Sequence, residues 1–199
     1  MSEIQCASCF QQLCVGGGFQ KKNFCPKNVY PEVYVAAEAE YATDAETREM
    51  AKNAAIMESR GYIAWPRLKD IIEFAKAMKY ARLTVFFCPD LWRETKRACR
   101  ILVKNGFTVS SRVCRTCREN PRTPDDFIDD IMNTSPDFVI NAGLCFAQEA
   151  QISKNKDIPA TAFIARDSAL NNYPASAIYC SDYWKDWAED VYRKKFGLA

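Results

Sequence analysis

From residue 44 onward the hydrophobic and polar positions alternate between helix-like and strand-like segments. Asp44 can cap a helix running to about Ser59, with Gly61 just beyond its end. Pro66 opens a second helix, in which Leu68, Ile71, Ile72 and Ala75 share one face. The short apolar run Leu83 to Phe87 reads as a strand covered on both sides. A helix from about Pro89 to Lys104 turns Leu91, Thr95, Ala98 and Leu102 inward and stops at Asn105-Gly106. Phe107 to Val113, Asp137 to Ile140 and Ala160 to Ala165 are further strands. Helices from Pro124 through Met132, from about Phe146 to Ser153 and from about Asp182 to Phe196 separate or follow them. Strands alternating with helices at this spacing predict an α/β fold: a mostly parallel, doubly wound sheet of about four to five strands with helices on both faces.

Residues 1–30 break the pattern. They hold Gly16, Gly17, Gly18 and four cysteines, and too little apolar surface to fold alone. The reading is a loop-rich, cysteine-rich metal-binding module, residues 1–30, packed on an α/β domain of residues 31–199.

Composition changes the picture in two ways. The 199 residues carry a formal net charge of +2 with both signs interspersed, so no basic surface for nucleic acid is expected. Met1 to Gln5 lacks the basic start and apolar stretch of a secretory signal. No apolar run approaches the roughly 20 residues that span a bilayer. A cytoplasmic location without membrane contact follows as the expectation.

Ten cysteines and no histidine define the chemistry. Without an imidazole base, Ser-His-Asp and Cys-His nucleophiles are excluded, as is every zinc site with a histidine ligand. A transition-metal site must rest on thiolates, which select zinc, copper(I) or iron–sulfur clusters. Cys6-x2-Cys9-x4-Cys14-x10-Cys25 gathers four thiols, the x2 turn aiming two sulfurs the same way and the glycines permitting tight reversals. Four thiolates suit tetrahedral zinc and a [4Fe–4S] cluster alike. Zinc is placed first, because one isolated four-thiolate site in a glycine-rich segment suits a structural role; the alternative is the cluster.

A second group sits at strand ends: Cys88 after the first strand, Cys114 and Cys117 after the next, Cys145 after the third. In a parallel sheet these ends share one edge, where ligand crevices form. Three readings stand: a second metal or cluster site, a redox dithiol at Cys114-x-x-Cys117 with Cys88 activated by the helix that follows, or core cysteines. Asp167, after the fourth strand, is a candidate acid, base or ligand acceptor, against the alternative of an ion pair and capping turn built with Arg166 and Asn171 to Pro174. Cys99 is assigned to the core and Cys180, near the start of the last helix, is read as inert; Tyr179, Tyr183, Trp184 and Trp187 are assigned to packing of that helix. Three functions follow: a metal-binding protein; an iron–sulfur redox enzyme or electron-transfer protein with a redox partner protein; or a small-molecule binder without catalysis.

With these residues in view, the chain resembles domain of unknown function family 1847, a family common in anaerobic prokaryotes and described as metal-binding. Cys6-Ala7-Ser8-Cys9, Cys14 and Cys25-Pro26 are similar to its four-cysteine start, for which the resemblance implies zinc. Ala54-Ala55 through Glu58, Gly61-Tyr62, Trp65-Pro66-Arg67, Phe74-Ala75, Phe87-Cys88, Gly106-Phe107, Val113-Cys114, Gly143-Leu144-Cys145 and Asp167 follow in the family's order. The chain departs from it in lacking a Cys-Asn-Pro segment between Cys114 and Cys145, so either Cys117 stands in for that cysteine or the second site is lost. Phe146-Ala147-Gln148-Glu149 replaces a Gly-His-Asp stretch. The resemblance implies a fold and a metal, and no reaction.

Overall fold

The computed structural model describes Cys6 and residues 24–114, 131, 133–154 and 158–179. These residues belong to two compact units, Met1–Ile56 and Met57–Ala199. In the first, α1 (Pro26–Val29) and α2 (Pro31–Thr43) lead into α3 (Ala45–Gly61), which crosses the division. α2 has no buried residue; its apolar residues are spread round the helix, which is why the apolar pattern offers no element there. Asp44 caps α3 as expected: its Oδ1 accepts the N–H groups of Glu46 and Thr47 at 3.0 and 3.2 Å. Gly61 is the last residue of that helix instead of lying past it. It is buried, and a Cβ there would stand 2.6 Å from the Trp65 ring.

The second unit holds α4 (Arg67–Ala77), β1 (Arg82–Phe87), a 3-10 turn (Pro89–Leu91), α5 (Trp92–Lys104), β2 (Thr108–Val113), β3 (Phe138–Ala142), α6 (Phe146–Lys154), β4 (Ala160–Ile164) and α7 (Ser176–Tyr179). The strands form one four-stranded sheet in the order β2-β1-β3-β4, and each neighbouring pair is parallel. The fold is α/β. The expected helices at Pro124 to Met132, apart from Ile131, and at Asp182 to Phe196 lie outside the described residues.

Period-two alternation divides the core between the two sheet faces. Leu83 and Val85 of β1 and Phe138 and Ile140 of β3 join Ile71, Ile72 and Ala75 of α4 and Leu102 of α5. Phe86 and Val139 belong to a second cluster with Ile131 and Ile152 of α6. Central β3 is buried throughout, whereas edge strand β2 keeps Ser111 and Arg112 exposed. Asp137 stitches the amino-terminal end of the sheet, accepting the N–H groups of Ala81 and Arg82, each at 2.8 Å, and pairing with the Arg82 guanidinium at 2.7 Å.

Candidate functional site

The chain runs from β1 outward to β2, then returns to β3 on the other side of β1. The carboxyl ends of β1 and β3 therefore flank the point where the strand order reverses, the usual ligand crevice of open α/β sheets. Cys88 follows β1 and Cys145 lies three residues past β3. One residue beyond Phe87↔Val113 the same register sets Cys88 beside Cys114, and the Cys114 N–H donates to the Phe87 carbonyl at 2.8 Å. Neighbouring strands lie about 4.8 Å apart, and alternation aims both thiols to the Phe86 side of the sheet. On the opposite flank the Cys88 N–H donates to the Ala142 carbonyl at 3.0 Å, and Gly143 comes abreast of it.

Burial governs what these thiols can do. Cys88 and Cys114 are buried; Cys145 is half-buried. Burial pushes the Cys88 thiol up, and the Asp90 carboxylate and the neighbouring Cys114 push the same way, against the Asp90 backbone N–H and Arg166. A thiol so placed is protonated at neutral pH and a weak nucleophile. Its sulfur lies 3.7 Å from Asp90 Oδ2, which sits 3.9 Å from the Arg166 guanidinium, so Arg166 links the end of β4 to the turn after β1. Cys145 heads α6, its carbonyl accepting the N–H groups of Gln148 and Glu149 at 3.0 Å each. Cys99 packs against the core, and burial raises its thiol too.

Among the described residues no group of three or more Cys, Asp or Glu side chains is placed to hold a metal ion. Cys88, Cys114 and Cys145 share an edge, then, without forming a ligand set by themselves; Cys117 lies outside the described residues. So do Cys9, Cys14 and Cys180. Of the N-terminal group, Cys6 is exposed and Cys25 half-buried immediately before α1, its carbonyl accepting the N–H groups of Asn28 and Val29. Asp167 is engaged in its own turn: Oδ1 accepts the N–H groups of Ala169 and Leu170 at 3.0 and 2.9 Å. Asn171 and Asn172, at φ 51° and 63°, complete that turn.

Three polar residues at this edge were not singled out as site residues by the sequence. α6 runs back against the strands, as a crossover between parallel strands must. Ile152 and Val139 share a cluster; Gln148 lies one turn before Ile152, and Asn141 two residues past Val139. Both are displaced toward the carboxyl edge on one face, and both are buried. Among the described residues the buried oxygens Asn141 Oδ1 and Glu149 Oε1 have no hydrogen-bond donor, and burial raises the Glu149 carboxyl. The available signal was Gln148 falling on the inward, Ile152 side of a helix.

A family model described as protein of unknown function (DUF1847) matches residues 25–124. The uncharacterized protein MJ0455 of Methanocaldococcus jannaschii is 29% identical over 202 residues, covering 94% of this chain and 99% of that protein. No solved structure matches the chain. No described helix is long and apolar enough to cross a membrane.

Proposed function

The chain belongs to the DUF1847 family of proteins of unknown function, and from that premise we propose a cytoplasmic metal-binding protein whose centre is held by Cys6, Cys9, Cys14 and Cys25. The observation that carries this reading is four thiols within twenty residues of a histidine-free chain. Cys6 and Cys25 fit it, since neither is sealed in the core and the Cys25 backbone is anchored at the head of α1. Zinc stands ahead of a [4Fe–4S] cluster, because it would supply the folding free energy that the apolar-poor residues 1–30 lack. Metal analysis and a visible spectrum on protein purified without oxygen test this. About one zinc per chain in colourless protein is the expected result. Brown protein with iron and sulfide would keep the ligands and replace the metal. Metal-free protein with all four thiols open to alkylation would overturn the proposal.

A second reading is favoured by Asn141 and Glu149: a small molecule bound at the crevice between β1 and β3. Two buried acceptors without donors, Asn141 on the strand that flanks the reversal of strand order and Glu149 on the helix that follows it, suit a ligand that brings N–H groups. The redox reading is less well supported, because Cys88 must first be uncovered and deprotonated to attack. Glu149→Gln separates binding from packing. Loss of ligand-induced melting shifts with an unchanged apo melting temperature supports the crevice; unchanged shifts remove it.

A further inference from the structure

α5 carries chemistry that neither the thiols nor the crevice uses. Between Trp92 and Lys104 stand five basic side chains, Arg93, Lys96, Arg97, Arg100 and Lys104, against one carboxylate, Glu94, in a chain whose formal charge is only +2. Trp92, Lys96, Arg100 and Lys104 recur every fourth residue and so share one side of the helix, over roughly 18 Å. All four are exposed. That side borders an open cavity of about 860 Å³, lined also by Phe87 of β1 and Ser111 of β2. Small-molecule sites run to roughly 300–1,000 Å³.

Three further features make the groove a site instead of a solvated basic face. Thr95 lines it, is 2% exposed, and its Oγ1 has no hydrogen-bond partner among the described residues. A helical threonine hydroxyl ordinarily bonds a carbonyl one turn back, so this oxygen is held in reserve. Trp92 offers an exposed ring, with the Arg93 and Lys96 cations 5.4 and 6.0 Å from its centroid. Among the described residues no carboxylate stands within ion-pair distance of Lys96, Arg100 or Lys104.

We propose that this groove binds a phosphorylated small molecule carrying a flat ring, the chemical class of a nucleoside diphosphate. Arg100 grips phosphate oxygens with its planar fork while Lys96 and Lys104 act as point charges. The Thr95 and Ser111 hydroxyls complete the polar contacts, and the ring stacks on Trp92. An open cavity confined to one helix and the strands beside it suits a small molecule better than a nucleic-acid strand, which needs cations spread along an extended path.

Calorimetric titration of the full-length protein with ADP, followed in parallel by tryptophan fluorescence, tests the proposal. Saturable binding is expected, weakening as salt rises. Adenosine and pyrophosphate should each bind at least about tenfold more weakly than ADP, since each lacks one half of the recognised chemistry. The double variant Lys96→Gln, Arg100→Gln should lose at least about tenfold in affinity, and glutamine at exposed helical positions preserves the helix. Absence of binding at millimolar ADP, or unchanged affinity in the double variant, would overturn the proposal. So would tighter binding of a single-stranded oligonucleotide than of ADP, which would reassign the groove to nucleic acid. If the double variant fails to melt like the wild type, Lys104→Gln and the salt dependence of the wild type decide instead.

Discussion

Gly143 holds the strand ends together at the tightest point of the edge. Its φ is +65°, and a Cβ there would stand 2.3 Å from Leu91 Cδ1 and 3.8 Å from the Cys88 Cβ. Gly143→Ala is therefore both strained and overpacked, and should cost about 1–3 kcal/mol in urea unfolding; an unchanged midpoint would deny the close approach of Leu91. At the opposite end of the sheet, burial works to raise the Asp137 carboxyl, but the N–H groups of Arg82 and Ala81 and the Arg82 charge outweigh it and hold it below the ordinary range of an aspartate. A depressed folded pKa gives stability that is complete above the unfolded value and is lost as pH falls through the folded one. Asp137→Asn should thus be less stable by about 2 kcal/mol at pH 6, with the deficit closing below about pH 4. A deficit independent of pH would mean that the charge is not what Asp137 contributes. At this scale the cysteines could be read, because a thiol is rare and its spacing carries meaning. Asn141 and Glu149 could not, since nothing in an amide or a carboxylate announces that its donors will be missing. Asp167 could be placed at a strand end from sequence, but only geometry reveals the two N–H groups on its Oδ1.

Elements were legible where one face is buried. α5 was expected to turn Leu91, Thr95, Ala98 and Leu102 inward, and all four are buried. The β1 run of apolar residues predicted a strand covered on both sides, and four of its six residues are buried. α2 shows the converse: with every residue exposed it has no stripe to betray it, and only its content of Ala and Glu favours helix. Proline positions mark where helical backbone begins, although α5 itself starts at Trp92, three residues after the expected Pro89. Pro66 caps α4 and Pro89 opens a 3-10 turn before α5, because a fixed φ and a missing N–H suit a helix start. The element most exposed to test is α5, whose amphipathic design joins the core to the groove. Leu102, with no exposed surface, packs with Val85 and Phe107. Leu102→Ala should cost roughly 2–5 kcal/mol by opening a cavity under the helix. Lys104→Gln, on the exposed side, should shift the unfolding midpoint little. Equal effects would contradict the assignment of inner and outer faces.

For the whole molecule, the thiols themselves report which of its proposed parts is real. Alkylation of the native protein followed by peptide mapping reads each cysteine separately. Cys145, half-buried, should label readily; Cys88 and Cys114, buried and side by side, and Cys99, held protonated by burial, should label only as the sheet unfolds. Cys6 is exposed and has no covalent partner, so geometry alone makes it the fastest of the described thiols. A metal centre reverses that order. Thiolates bound to zinc are shielded, so Cys6, Cys9, Cys14 and Cys25 should stay unlabelled until a chelator is added and then react together. The chelator should leave Cys88, Cys114 and Cys99 untouched, because the sheet that buries them does not depend on the metal in this reading. Rapid labelling of Cys6 and Cys25 before chelation would sink the metal proposal while leaving the fold intact. Simultaneous release of all the thiols by chelation would instead show that the metal holds the sheet as well as the N-terminal residues.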